Sequence, residues 1–117
     1  MYVYQDFSKA DKKLFEPLLE LAIQKKIAKF AKKTLPMHQT LVEEDHQDIR
    51  VPYWELAEKI SDFSKYLTST FDGYTHRRLP SMIANFIVDE TLKMEDLSDF
   101  SEVGRKKMEE MVTRFRF

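Results

Sequence analysis

SMIANFIVDETLKM, residues 81–94, decides the fold class. On a helical wheel its apolar residues, from Met82, Ile83 and Phe86 through Ile87 and Val88 to Leu92 and Met94, spread round most of the circumference. A helix that is apolar on most sides is buried on most sides. This stretch therefore predicts a central helix near 80–94, enclosed by other helices or sandwiched between subunits. Pro80 suits its first turn, where the missing N–H is one that a helix leaves unbonded anyway. Asn85, Asp89 and Lys93 form its one polar line, with Asp89 and Lys93 spaced for an ion pair. Glu90 falls between Phe86 and Ile83 on the wheel. That makes it the carboxylate to check for burial, since a buried acid has a raised pKa and such groups mark functional sites.

Just upstream, YTHRRLP reads as a loop. If Pro80 opens a helix, the N–H groups of Ser81, Met82 and Ile83 point outward at its positive end, and arginines beside such an end hold phosphate, sulfate or carboxylate. His76, Arg77, Arg78 and Ser81 are thus the candidate anion site, against a plainer reading of a polar loop whose arginines pair with nearby acids. Before that loop lies the clearest helical pattern. Tyr53, Leu56, Ala57, Ile60, Phe63, Leu67 and Phe71 share an arc of about 120°, and Glu55, Glu58, Asp62 and Lys65 lie away from it. Val51-Pro52 starts this helix and Asp72-Gly73 stops it. Trp54 and Tyr66 fall outside the arc and are candidates for an interface.

Further back, Thr40 with Glu43 forms a capping box that could open a short helix, TLVEEDHQDIR. The N-terminal third carries another: Ser8 as N-cap with Asp11 as its reciprocal acid. Pro17 should kink or restart that helix, which continues from about 17 to 34 until Leu35-Pro36 stops it. Within it Leu19, Ile23, Ile27, Phe30 and Ala31 share a face. Lys25, Lys26, Lys29, Lys32 and Lys33 form a basic stripe opposite. Lysine stems can cover apolar surface while their heads stay wet, so a solvated face is the plain reading of the stripe. The alternative is contact with an acidic surface, of which the nearest is the chain's own EEDHQD, residues 43–48, in the same or a neighbouring subunit. Nucleic acid is disfavoured, because Phe30, the one aromatic in the stripe, lies on its apolar side. A membrane is disfavoured for the same reason: the apolar side is needed for the core.

The C-terminal helix should be capped by Ser98 or Ser101. Phe100, Val103, Met108, Met111, Val112 and Phe115 form its apolar face, and Gly104 on that face permits close approach of another helix. MYVYQDF and TRFRF alternate enough to pair as short strands, with fraying ends as the competing reading.

Composition bounds the rest. The 117 residues fit one domain, 1–117, and two glycines and four prolines leave few turns, which suits helices. With no cysteine, disulfides and thiolate chemistry are excluded. No signal-peptide pattern or membrane-length apolar run is present, so a cytoplasmic protein is expected. Residues 1–36 hold eight lysines and four acids, while residues 37–72 hold three bases and eight acids. Those opposed blocks can neutralise each other within a chain or between two. A di-metal bundle needs paired Glu-x-x-His motifs; only Glu43-x-x-His46 occurs, so no metal or other cofactor is expected. There is no phosphate loop, nucleophile elbow or cofactor fingerprint.

The sequence thus predicts an all-α, four- or five-helix bundle, mostly antiparallel. The expected function is non-enzymatic, through protein–protein contacts as a homodimer. The alternative is an anionic ligand or nucleic acid bound through basic clusters 25–33, 77–78 and 105–107.

Overall fold

Tyr4–Asp6 forms a 3-10 turn and is followed by four helices: α1 (Lys9–Glu43), α2 (Arg50–Phe71), α3 (Leu79–Val88) and α4 (Glu102–Phe115). Further 3-10 turns, His76–Arg78 and Met94–Leu97, precede α3 and α4. The structure is a computed structural model describing residues 1–116. It is all-α, with no strand among the described residues. MYVYQDF, open to either a short strand or a frayed end, forms that first 3-10 turn, whose Asp6 carboxylate accepts the Val3 N–H at 2.8 Å. TRFRF is mostly the end of α4, and its Phe117 lies outside the described residues.

The described chain forms two compact units, Lys26–Gly73 and the remainder from either side of it. In the unit made by Met1–Lys25 and the chain from Tyr74 onward, α3 packs on α4. Phe15, Leu79, Ile83, Leu92, Met108 and Met111 are essentially inaccessible there. Each such side chain contributes roughly 1.5–3 kcal/mol by leaving water. Phe7, Phe15 and Phe100 form an edge-to-face aromatic triad, with centroids 5.0 Å apart for Phe7–Phe15 and 5.2 Å for Phe15–Phe100. The buried charge is not Glu90 but Asp11, 2% exposed, whose carboxylate accepts the N–H of Ser101 at 2.9 Å and its hydroxyl at 2.6 Å. Ser8 caps α1 as expected by accepting the Asp11 N–H at 3.1 Å. The reciprocal half of that box is replaced by the reach of Asp11 to Ser101. Ser101 in turn caps α4 by accepting the Gly104 N–H.

Three helix boundaries differ from the sequence reading. α1 passes through both Pro17 and Pro36. Both prolines are exposed, as are Lys13 and Lys32. The carbonyls freed four residues upstream therefore belong to the wet side, where water can bond them. Thr40 and Glu43 consequently lie in the last turn of α1 and open no new helix. The central helix is also shorter, ending at Val88 rather than near 94. Asp89 Oδ1 accepts the Thr91 N–H at 2.9 Å, a local turn that competes with helix, and Glu90 takes the left-handed conformation at φ 67°. The chain turns back so that the Leu92 N–H reaches the Phe86 carbonyl at 2.9 Å. Leu92 is buried all the same, but through this turn and not through a helical face. Glu90 itself is exposed. It belongs to the turn, and its wheel position has no meaning there.

Candidate functional site

The unit Lys26–Gly73 is a hairpin of two helical segments, the second half of α1 and all of α2, joined by residues 44–49. The joint is held locally. His46 Nε2 donates to the Thr40 carbonyl at 2.9 Å. Asp48 accepts the Arg50 backbone N–H and a two-pronged bond from its guanidinium, each prong at 2.9 Å. These bonds hold the Asp48 carboxyl below its ordinary range and raise Arg50.

Facing residues fix the register. The Phe30 and Phe63 rings stack with centroids 4.1 Å apart and planes within 3°. Lys26 Nζ sits 5.8 Å above the Tyr66 ring. Both pairs straddle the connector almost symmetrically, the signature of an antiparallel hairpin. Along α1 the inward line is Lys26, Phe30, Thr34, Met37 and Leu41, all half-buried. Along α2 it is Pro52, Leu56, Phe63, Leu67 and Thr70, of which Leu56 is the most enclosed at 5%.

Away from that seam, large apolar side chains stand in the open. Ile27 is 46% exposed, Leu35 54%, Val42 77%, Tyr53 53% and Ile60 47%. The sequence reading placed Ile27, Ala31, Tyr53 and Ile60 on faces turned to a core. They form an outer stripe instead. The signal was present as the four-residue spacing of Ile27, Ala31 and Leu35. It is hidden by a stop at Pro36, because Val42 joins that stripe only if the helix continues.

Trp54 and Tyr66, the interface candidates, differ in setting. Trp54 is 64% exposed and meets Tyr53 edge-on, with centroids 5.3 Å apart. Tyr66 is engaged by Lys26 above its ring and by Phe63 beside it, at 6.0 Å. The basic stripe is divided too. Lys25 Nζ lies 3.7 Å from Asp96 Oδ2, Lys26 covers Tyr66, and Lys29, Lys32 and Lys33 stand exposed.

Near the other basic clusters, His76, Arg105 and Lys106 each meet a local acid. His76 Nε2 lies 2.8 Å from Glu16 Oε1, its ring 5.4 Å from that of Tyr4 and 6.3 Å from that of Tyr74. Burial pushes the Tyr74 phenol up, and Glu16 and Glu20 push it the same way. A carboxylate therefore already occupies the imidazole of the expected anion site. Arg77 and Arg78 are exposed, and Ser81 is half-buried in the first turn of α3. Arg105 and Lys106 pair along α4 with Glu109 and Glu102, at 3.9 Å and 3.4 Å. Lys107 donates to the Asp6 carbonyl and lies 5.6 Å from the ring centroids of both Tyr2 and Phe7.

No metal-binding cluster of His, Cys, Asp and Glu occurs among the described residues, and no helix described is long and apolar enough to cross a membrane. One open groove on α4 is lined by Lys106, Glu109, Glu110, Thr113 and Arg114, a polar set. No family model, curated protein or solved structure matches the chain, so its own geometry carries the functional reading.

Proposed function

We propose that this chain is a non-enzymatic protein–protein interaction module that works as a homodimer, with the hairpin as the part that meets its partner. One observation carries the reading. Beyond Ala22, α1 contributes no buried residue, and the hairpin's buried residues are Leu56 and Phe71 alone. Two helices sharing a single seam expose most of their surface, and helical stability in water comes mainly from packing an apolar face. A hairpin that leaves Leu35, Val42, Tyr53 and Trp54 more than half exposed is suited to burying them against another protein.

The reading as an anion or nucleic-acid binder has less support. It needs clusters 25–33, 77–78 and 105–107 to act together. Lys25, His76, Arg105 and Lys106 are instead each drawn to an acid of the same chain.

Light scattering across a hundredfold range of concentration tests the proposal. A mass approaching twice the 14.0 kDa of the chain is expected at the upper end. A mass that stays at one chain throughout overturns the homodimer.

A further inference from the structure

We infer that one particular face of the hairpin receives a second copy of this chain, so that two hairpins build an intermolecular four-helix bundle. This rests on the homodimer proposed above and adds the surface and the packing mode.

The face follows from helical geometry. At about 100° per residue, Ile27, Ala31, Leu35, His38 and Val42 lie about 60–140° round from the inward-pointing Phe30, all in one sense. On α2, Tyr53, Ala57, Ile60 and Ser64 lie about 40–100° round from inward-pointing Leu56, in the same sense. Because the two helices are antiparallel, equal rotational senses bring both stripes to the same side of the hairpin. The result is one continuous face, apolar or weakly polar across both helices.

Charge sorts the two sides. Between Ile27 and Val42 on α1, and between Tyr53 and Ser64 on α2, that face carries no Lys, Arg, Asp or Glu. Lys29, Lys33, Glu55, Lys59 and Asp62 turn about 60–120° the opposite way, onto the other side. A chain that left both sides to water would have no reason to segregate its charges so completely. Residues 31, 35, 38 and 42 also follow the four-three-four spacing with which helices pack along a seam.

The occupant is a second copy on three grounds. A neutral face attracts no charged partner, yet it meets its own image without like-charge repulsion, as a two-fold interface requires. The lysines lie on the far side, so pairing by this face does not bring them together. Size also fits. From Ile27 to Val42 the helix rises about 22 Å, and two helices side by side are about 20 Å wide. With side-chain relief, that footprint is of the order of the ~800 Å² per partner of a standard interface.

The test compares the unmodified chain with the variant Leu35→Glu/Ile60→Glu and with Lys29→Glu/Lys32→Glu, by sedimentation equilibrium in low and high salt. The expected results are a salt-insensitive dimer for the unmodified chain and for the lysine variant. The Leu35→Glu/Ile60→Glu variant should dissociate on the order of 100-fold more readily. A dimer that survives both glutamates overturns this face and leaves the homodimer standing. An unmodified chain that is monomeric throughout overturns both. Loss of helicity in the glutamate variant is covered by a second measurement, for which the absence of native cysteine is convenient. Chains carrying Leu35→Cys mixed with chains carrying Ile60→Cys should cross-link to each other through a short bis-maleimide, and Lys29→Cys chains should not. The reverse pattern also overturns the face.

Discussion

Ser101 ties three parts of the chain together at a single point. Its N–H and hydroxyl both donate to the Asp11 carboxylate, and its Oγ accepts the Gly104 N–H at 3.0 Å. Asp11 is nearly inaccessible although Ser101 is exposed, so the bonds are part-buried and their loss leaves the carboxylate with few other donors. Gly104 is what lets the carboxylate in: a Cβ at that position would overlap Asp11 Oδ2 and crowd Ser101 Oγ. Gly104→Ala should therefore destabilise the fold by about 1–3 kcal/mol although alanine favours helix, and urea unfolding measures it. Asp11→Ala should lose about as much, by leaving the two Ser101 donors without an acceptor. A second residue-scale contact is pH-dependent. Tyr2 donates to Glu110 Oε2 at 2.6 Å, and that bond, with some burial and the nearby negative charge, raises the phenol above 10.0. A raised phenol favours its neutral form in the fold. The contact therefore stabilises fully below pH 10.0 and is lost as pH rises through the higher folded value. In Glu110→Ala, spectrophotometric titration should find Tyr2 ionising closer to the ordinary phenol range.

At the scale of elements, helix length departs from the sequence pattern in both directions, α1 running longer and α3 ending sooner, and each departure has its own cause. Pro36 reads as a stop because proline removes a hydrogen bond and pushes on the carbonyl four residues back. On an exposed side that loss is shared with solvent, and α1 continues to Glu43. In the turn before Pro36, Thr34 Oγ1 donates back to the Phe30 and Ala31 carbonyls, at 3.0 and 3.3 Å, a bonding pattern that accompanies bends. Pro36→Ala should then raise the local opening free energy of this segment by about 1–3 kcal/mol, read as slower amide exchange from Lys33 to Thr40. Glu90 shows the converse. Wheel geometry marks it as an acid to check for burial because nothing in IVDETLKM, which lacks Gly and Pro, announces the turn; the Asp89 side chain bonding forward to Thr91 and the Leu92 N–H reaching back to the Phe86 carbonyl close it. What was legible was what depends on composition and capping: the all-α class, the Ser8 and Ser101 caps, and the stop at Gly73, whose φ of 69° suits glycine. Glu90, at φ 67°, has no such freedom, so Glu90→Gly should stabilise the turn by about 0.5–1 kcal/mol in thermal unfolding.

At the scale of the molecule, burial is divided unequally between the two units, and that division sets where the fold opens first. The unit containing α3 and α4 holds Leu79, Ile83, Met108 and Met111 at 0% exposure, whereas the hairpin encloses Leu56 and Phe71 incompletely. Regions with few buried apolar contacts exchange their amide hydrogens through low-energy local openings, and well-packed cores exchange only with global unfolding. In dilute protein the amides of Ile27–Val42 and of α2 should thus exchange well before those of α3 and α4. Raising the concentration then separates an intrinsically loose arm from one awaiting its partner. If a second copy covers the hairpin, the fraction of free chain falls as the inverse square root of total protein once the dimer dominates. Exchange in the hairpin should then slow by about threefold for each tenfold increase in concentration. Exchange in α3 and α4 should change far less, unless global unfolding is itself coupled to dissociation, in which case both units slow together. Hairpin exchange that stays fast and flat with concentration would mean that the exposed leucine, isoleucine and valine side chains are not covered by another copy. The interaction surface would then have to be sought outside the hairpin.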